Sequence, residues 1–201
     1  MADLASDNFN RADGDSLGSN WTEQVGDFDI LTNRAIQNTA SGNNIATWDT
    51  NISSSPAGDY NIKSIVRCDV TGGAAVVGRW TASTDYYQTH LNTVSQDLRI
   101  RKRVADVATT LGTYVGGYGI TTDYTIEMKM VGSTITAYEA STLRLTVTDS
   151  DLKAEGKPGL FADSDGKVYD DFLVSGNMAG LRSIFTSNHL RPRVFAPGIA
   201  R

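Results

Sequence analysis

The chain has 201 residues, 40% of them hydrophobic and 20% charged, which suits one large globular domain and excludes a disordered polymer. A net charge of −5 argues against a broad nucleic-acid surface. Cys68 is the only cysteine, so no internal disulfide forms, and no run reaches the roughly 18 apolar residues of a membrane span.

The first residues, MADLASDNFNRADG, are polar and acidic and lack the basic and apolar regions of a secretory signal. This predicts a protein folded in a cytosol, with no membrane partner. From there on, short alternating runs dominate, rich in Val, Ile, Thr and Tyr and broken by Gly, Asn, Asp and Ser. Residues 26–37, GDFDILTNRAIQ, read as a hairpin with Phe28 and Ile30 facing inward. In YNIKSIVRCDV (60–70), Tyr60, Ile62, Ser64, Val66 and Cys68 share one face. Cys68 reads as a buried, inert thiol. AAVVGRW (74–80) follows Gly72-Gly73 and is expected to pair with the preceding strand as a hairpin.

YYQTHLNTV (86–94) and DLRIRKRVADV (97–107) come next. The second sets Leu98, Ile100, Lys102 and Val104 against a basic stripe of Arg99, Arg101 and Arg103. That stripe reads as a solvated outer face, or as a surface that meets an acidic partner or a neighbouring subunit. YTIEMKMVG (124–132) turns at Gly132-Ser133 into TITAYEA (134–140), and LRLTVTDS (143–150) follows. GLFAD and KVYDDFLVS are expected to pair around the Ser164-Asp165-Gly166 turn. About a dozen strands at this spacing, with no sustained helical period, predict an all-β antiparallel sandwich.

After Ser175 the composition changes. GNMAGLRSIFTSNHLRPRVFAPGIAR has no acidic residue and carries Arg182, Arg191, Arg193 and Arg201, which leaves 14 basic against 23 acidic residues elsewhere, a net of −9. Pro192 and Pro197 forbid continuous helix or interior strand. Residues 1–175 therefore read as the sandwich and 176–201 as an extended basic and apolar arm. Its Phe185, Leu190, Arg191, Arg193, Val194, Phe195, Ile199 and Arg201 are suited to docking on a partner.

Three segments carry a family resemblance. In DNFNRADGDSLGSNW (7–21), Phe9, Arg11, Asp13, Gly14, Leu17, Gly18 and Trp21 follow the opening pattern of the concanavalin A-like (laminin-G-like) jelly rolls. Tyr124 to Tyr138 resembles their tyrosine-led strand, Gly turn and return strand. Gly159-Leu160 and Asp170-Asp171-Phe172 resemble the closing strands. The resemblance covers about residues 7–175 and implies a jelly-roll sandwich. Such domains serve as glycan binders, as glycan-processing enzymes and as bacteriophage structural proteins.

Residue types then sort these roles. Glucanases of the family place Glu-x-Asp-x-(x)-Glu on one strand. The four glutamates here, Glu23, Glu127, Glu139 and Glu155, form no such motif, and His90 and His189 suggest no Ser-His-Asp set, so no catalytic residue is assigned. The best cation candidate is Asp163, Asp165 and Asp170, oxygen ligands around a glycine turn that would suit Ca²⁺; the other reading is a plain turn with Gly166 at positive φ. Otherwise no cofactor is expected. Glycan stacking would use Trp80, Tyr86, Tyr87, Tyr114 and Tyr118, although one tyrosine of each pair is expected to fill the core.

Without signal, disulfide or catalytic set, and with its arm, the chain reads first as a virion component of a bacteriophage. In that reading it is a capsid decoration or tail/fibre protein, a homo-oligomer that docks on other virion subunits. The alternative is a carbohydrate-binding module that recognises a surface glycan for host attachment. The third reading is a glycan-processing hydrolase.

Overall fold

The computed structural model describes residues 3–39, 42–52 and 58–176. The proposed docking arm, Phe185 to Arg201, lies outside the described residues. Fifteen strands are present: β1 (Asp3–Asp7), β2 (Trp21–Val25), β3 (Phe28–Leu31), β4 (Arg34–Gln37), β5 (Asn44–Trp48), β6 (Tyr60–Cys68), β7 (Gly73–Ala82), β8 (Asp85–Asn92), β9 (Asp97–Val104), β10 (Val107–Val115), β11 (Tyr124–Val131), β12 (Thr134–Glu139), β13 (Thr142–Thr148), β14 (Lys157–Ala162) and β15 (Lys167–Gly176). No helix among the described residues is long and apolar enough to cross a membrane.

The strands form two antiparallel sheets packed face to face. One has the order β13-β12-β11-β6-β15-β4-β3, with β1 added along β15; the other runs β10-β9-β8-β7-β14-β5-β2. Their inner faces bury one core. Ile62, Val66, Ile126, Met128, Met130 and Tyr169 come from the first sheet, and Ala74, Val76, Tyr87, Leu91, Leu98, Ile100 and Leu160 from the second. The expected all-β jelly roll is the observed fold.

The opening motif is a knot around one carboxylate. Asp7 accepts Arg11 at 2.8 and 3.0 Å and the Trp21 indole N–H at 2.9 Å. Burial alone would raise the Asp7 carboxyl, but these bonds outweigh it and hold Asp7 below its usual range. Trp21 is thereby fixed 4.8 Å from Phe172, edge to face. Phe172 reaches that position because β15 is bulged between Asp170 and Leu173, with Asp171 at φ +48°. The Asp-Asp pair of the closing motif is thus the bulge that re-aims β15 into the core.

Two expected hairpins are corrected. β6 and β7 do not pair, and neither do β14 and β15; each pair is split between the two sheets. Both strands of each pair carry an inward apolar face, so the connection must cross the sandwich edge instead of folding the strands side by side. The two crossings interlock, because β6 lies beside β15 and β7 beside β14. Asp69 N–H donates to the Gly166 carbonyl at 2.8 Å, and Gly73 N–H donates to the Asp163 carboxylate at 2.7 Å. Gly166, at φ +66°, supplies the left-handed step.

Lys167 sits between the crossings with its side chain fully buried. Its ammonium donates to Ser164 Oγ at 2.7 Å, to the Asp165 carbonyl at 2.8 Å and to the Val70 carbonyl at 3.4 Å. Lys167→Met would leave these acceptors unpaired and is expected to cost roughly 1–3 kcal/mol. Urea unfolding of the variant, with an unchanged m-value and a lowered midpoint, is the check.

Candidate functional site

The seven-stranded sheet has a second apolar cluster on the face turned away from the core. Ile45, Ala75, Val77, Tyr86 and Phe161 form it, with Trp80 packed alongside. These residues alternate with the core-facing set: Ala75 and Val77 against Ala74 and Val76, Tyr86 against Tyr87, Phe161 against Leu160. Trp80 joins them through a break in β7. The register shifts between Gly78 and Ala82, and Arg79 adopts φ +50°. The Arg79 side chain turns into the protein, and Trp80 leaves on the outer face with the Lys157 ammonium 5.9 Å above its ring.

Cross-strand register builds a polar row beside this cluster. Tyr86 lies opposite Arg103, Gln88 opposite Arg101, and His90 opposite Arg99. Gln88 and His90 are 3% and 1% exposed. Gln88 Oε1, both ring nitrogens of His90, Arg101 Nε and Trp80 Nε1 are buried without a hydrogen-bond partner. Buried polar atoms are ordinarily paired, so five orphans on one face require an explanation. Burial, with help from the Arg101, Arg99 and Lys167 charges, pushes His90 down to about 3, so its ring is neutral at physiological pH. Each neutral imidazole offers one donor and one acceptor.

The nearby carboxylates are already engaged. Asp97 accepts Arg99 at 2.7 Å, Asp106 is paired with Arg103, and Asp163 caps the Gly73 amide. Arg101 has no ion pair among the described residues. Ile45, Ala75, Val77, Tyr86 and Phe161 are at most 2% exposed, so Trp80, Arg99, Arg101 and Arg103 are the partly exposed groups of this set, and none of the carboxylates named here is free for acid–base work.

The residues named from the sequence separate clearly. Trp80 and Tyr86 come together on the outer face. Tyr87 and Tyr118 instead lie in the core, where their hydroxyls bind Asp149 at 2.5 Å and Glu139 at 3.0 Å. Tyr114 packs against the core with Arg144 over its ring. Alternation explains the split of Tyr86 and Tyr87, which neighbour each other on β8 and face opposite ways, whereas Tyr118 lies in the link between β10 and β11. The Arg99–Arg101–Arg103 stripe is not simply solvated, since it borders the buried row of β8.

The three aspartates of the cation candidate do not form a ligand set, and no group of three acidic, His or Cys side chains among the described residues does. The Lys167 ammonium already sits in the nest, 4.0 Å from Asp163, and is bonded to the Asp165 carbonyl. Asp170 points to Arg34, 3.4 Å away. Cys68 is buried in the core, and burial pushes its thiol up to about 11. Gln88, His90 and Arg101 were missed as site residues. Period-two alternation marked their faces, but only the β8–β9 register shows that the faces coincide.

A separate hollow of about 490 Å³ lies along β1 and β15 on the other sheet, lined by Asp7, Asn8, Lys63 and Asp171 among others. Its most buried carboxylate, Asp7, is committed to Arg11 and Trp21.

Comparison with solved structures places this architecture. The carbohydrate-binding module CBM66 from Bacillus subtilis superposes with a TM-score of 0.71 at 15% identity, over 79% of this chain and 96% of that one. A Bacillus subtilis protein of unknown function with a galectin-like fold gives 0.65 at 11% identity, over 87% and 96%. The exoplasmic/lumenal domain of VIP36, in a form bound to Ca²⁺ and Man3GlcNAc, gives 0.60 at 9% identity, over 79% and 83%. The shared feature is the fold, an antiparallel jelly-roll sandwich of galectin-like type. A GH43 protein from Bacillus licheniformis also contains it, in 39% of its own chain. No family model matches the sequence, and no curated protein matches it by sequence. Within this shared fold, then, the side chains of the second face are what bear on function.

Proposed function

We propose that this protein is a carbohydrate-binding module whose site is the outer face of the seven-stranded sheet. The observation that carries the reading is the set of unpartnered polar atoms on Gln88, His90, Arg101 and Trp80 beside an aromatic and aliphatic cluster. A sugar has that dual character. Its C–H face packs on rings, and its hydroxyls donate and accept in fixed directions. A sugar would meet the partly exposed Trp80 and Arg101 first, with the unpaired atoms of Gln88 and His90 buried beside them. Structural neighbours that include a carbohydrate-binding module and a domain in a Man3GlcNAc-bound form support the assignment. Engagement of Asp97, Asp106 and Asp163 supports binding without turnover.

This reading stands ahead of the virion scaffold expected from the sequence. Gln88, His90, Arg101 and Trp80 gather unmet bonding capacity on this face, whereas the arm on which that scaffold depends lies outside the described residues.

A glycan array followed by calorimetry tests it. The protein is expected to bind at least one oligosaccharide class, and Trp80→Ala or Gln88→Ala to weaken binding about tenfold or more, as for loss of one stacking or hydrogen-bonding group. Undiminished binding in both variants would move the site elsewhere.

A further inference from the structure

The charge pattern of the same face points to a class of glycan, an inference that rests on the binding reading above. β9 places Arg99, Arg101 and Arg103 side by side on the outer face. The outer two are neutralised by Asp97 and Asp106. The central one is not. Arg101 has no ion pair among the described residues, and its Nε is buried without a partner. Burial and the flanking Arg99 charge push its guanidinium below the usual value, with Arg103 adding to the effect. A half-buried cation between two cations is unfavourable for the free protein. Nothing in its fold requires it, because the core contacts of β9 come from Leu98 and Ile100 on the opposite face.

We propose that Arg101 receives the acid group of an anionic glycan, a uronate carboxylate or a sugar sulfate. A guanidinium fork matches such a group with two parallel hydrogen bonds and is the strongest single contact that the face can offer. Directly across the ladder, Gln88 holds an unpaired acceptor; His90, next along the row, is neutral and holds a donor and an acceptor, all of them buried. An acidic sugar carries ring hydroxyls beside its acid group, which is the same mixture. The lining of the face argues for the same preference. Arg101, which has no ion pair among the described residues, is positive, and that charge draws an anion.

The test uses the intact chain and three matched oligosaccharides: a uronate oligomer, the neutral oligomer of the same linkage with its carboxylates reduced to alcohols, and a sulfated form of the neutral oligomer. The wild type is expected to bind the uronate or the sulfated form at least tenfold tighter than the neutral one, with the difference shrinking as salt rises. Arg101→Gln is expected to remove that difference, a loss of about 10- to 100-fold, as for a hydrogen bond to a charged group. Its melting temperature should be no lower than that of the wild type, which separates a binding role from a structural one. Arg101→Lys, which keeps the charge without the fork, should retain part of the preference.

Equal binding of neutral and acidic forms, or a preference that survives Arg101→Gln, overturns the acidic class while glycan binding on this face stands. Failure to bind any of the three, with an array that is also blank, overturns both.

Discussion

Replacing Arg79 with methionine is expected to destabilise the protein by about 3–5 kcal/mol, the range for removing one partner of a buried ion pair. Arg79 is 1% exposed. Its guanidinium donates to the Gly58 carbonyl at 2.9 Å, to the Leu152 carbonyl at 3.0 Å and to the Asp59 carboxylate at 3.3 Å. Its backbone N–H donates to the Tyr60 hydroxyl at 2.6 Å. Methionine matches the volume but none of the bonds. Asp59 would be left buried with only the Gly132 amide, 2.7 Å away, and two carbonyls would lose their donors. Arg79→Lys restores charge without the fork and should fall between the two. Equilibrium urea unfolding measures the loss; an unfolding free energy within about 0.5 kcal/mol of the wild type would mean that the cluster contributes little. The variant also bears on binding. Arg79 makes the break in β7 that sends Trp80 outward, so any folded fraction should bind glycan less well.

Acidification from pH 7 to 4.5 should remove about 2–3 kcal/mol of stability through His90 alone, at about 1.4 kcal/mol per pH unit. The folded ring titrates at about 3 and the unfolded one near 6.5. Between those values the unfolded chain takes up a proton that the folded chain refuses, so stability is full above about pH 6.5 and falls steadily below it. The charges facing the ring, Arg99, Arg101 and Lys167, set this direction after burial itself, and Asp163 is the nearby acid. Carboxylates held low in the fold, such as Asp7, Asp123 and Asp149, have unfolded values near 3.8 and lose their contribution only in stronger acid. Glu23, Asp29 and Asp170 are raised and act with the opposite sign, which is why the comparison is with a variant. His90→Gln, neutral at every pH, should lose most of the slope between pH 6.5 and 4.5. Parallel pH profiles for the two proteins would refute the assignment to His90.

Both predictions concern polar side chains in strands, the places where the sequence was hardest to read. Its apolar pattern was informative. The hairpin of Phe28 and Ile30, the turn at Gly132-Ser133 and the inward face of β6 were all legible, because burial on one face enforces alternation. The crossings at Val70–Gly72 and Ser164–Gly166 were not. A glycine-rich link looks the same whether it folds a strand onto its neighbour or carries it to the opposite sheet. What distinguishes the two is the set of strands that β6 and β14 meet from far along the chain, which no local window contains.

The site was half legible for a related reason. Trp80 and Tyr86 stood out as aromatics near strand ends. Gln88, His90 and Arg101 looked like members of wet outer faces, and only pairing of β8 with β9 sets them against one another. Tyr87 had the composition of a sugar platform and the wrong side of the strand, and Tyr118 turns into the core from the link between β10 and β11. An isolated side chain carries no information about its face once a bulge intervenes, as at Arg79, whose left-handed turn reverses the parity of β7.

The strand order also has a consequence for how the molecule is made. β14 and β15 are the last described strands in the chain, yet each lies inside its sheet: β14 joins β7 to β5, and β15 joins β6 to β4. A nascent chain that stops short of residue 157 holds two sets of strands with a gap between them. Neither sheet can close until β14 and β15 have been made, and the apolar inner faces wait for them. Closure then depends on contacts distant in sequence, which makes for slow folding, on the scale of milliseconds to seconds. Shortening the protein from its C-terminal side into β15 would therefore not yield a smaller sandwich. It would leave two fragments of sheet with exposed edges, the state most prone to aggregate.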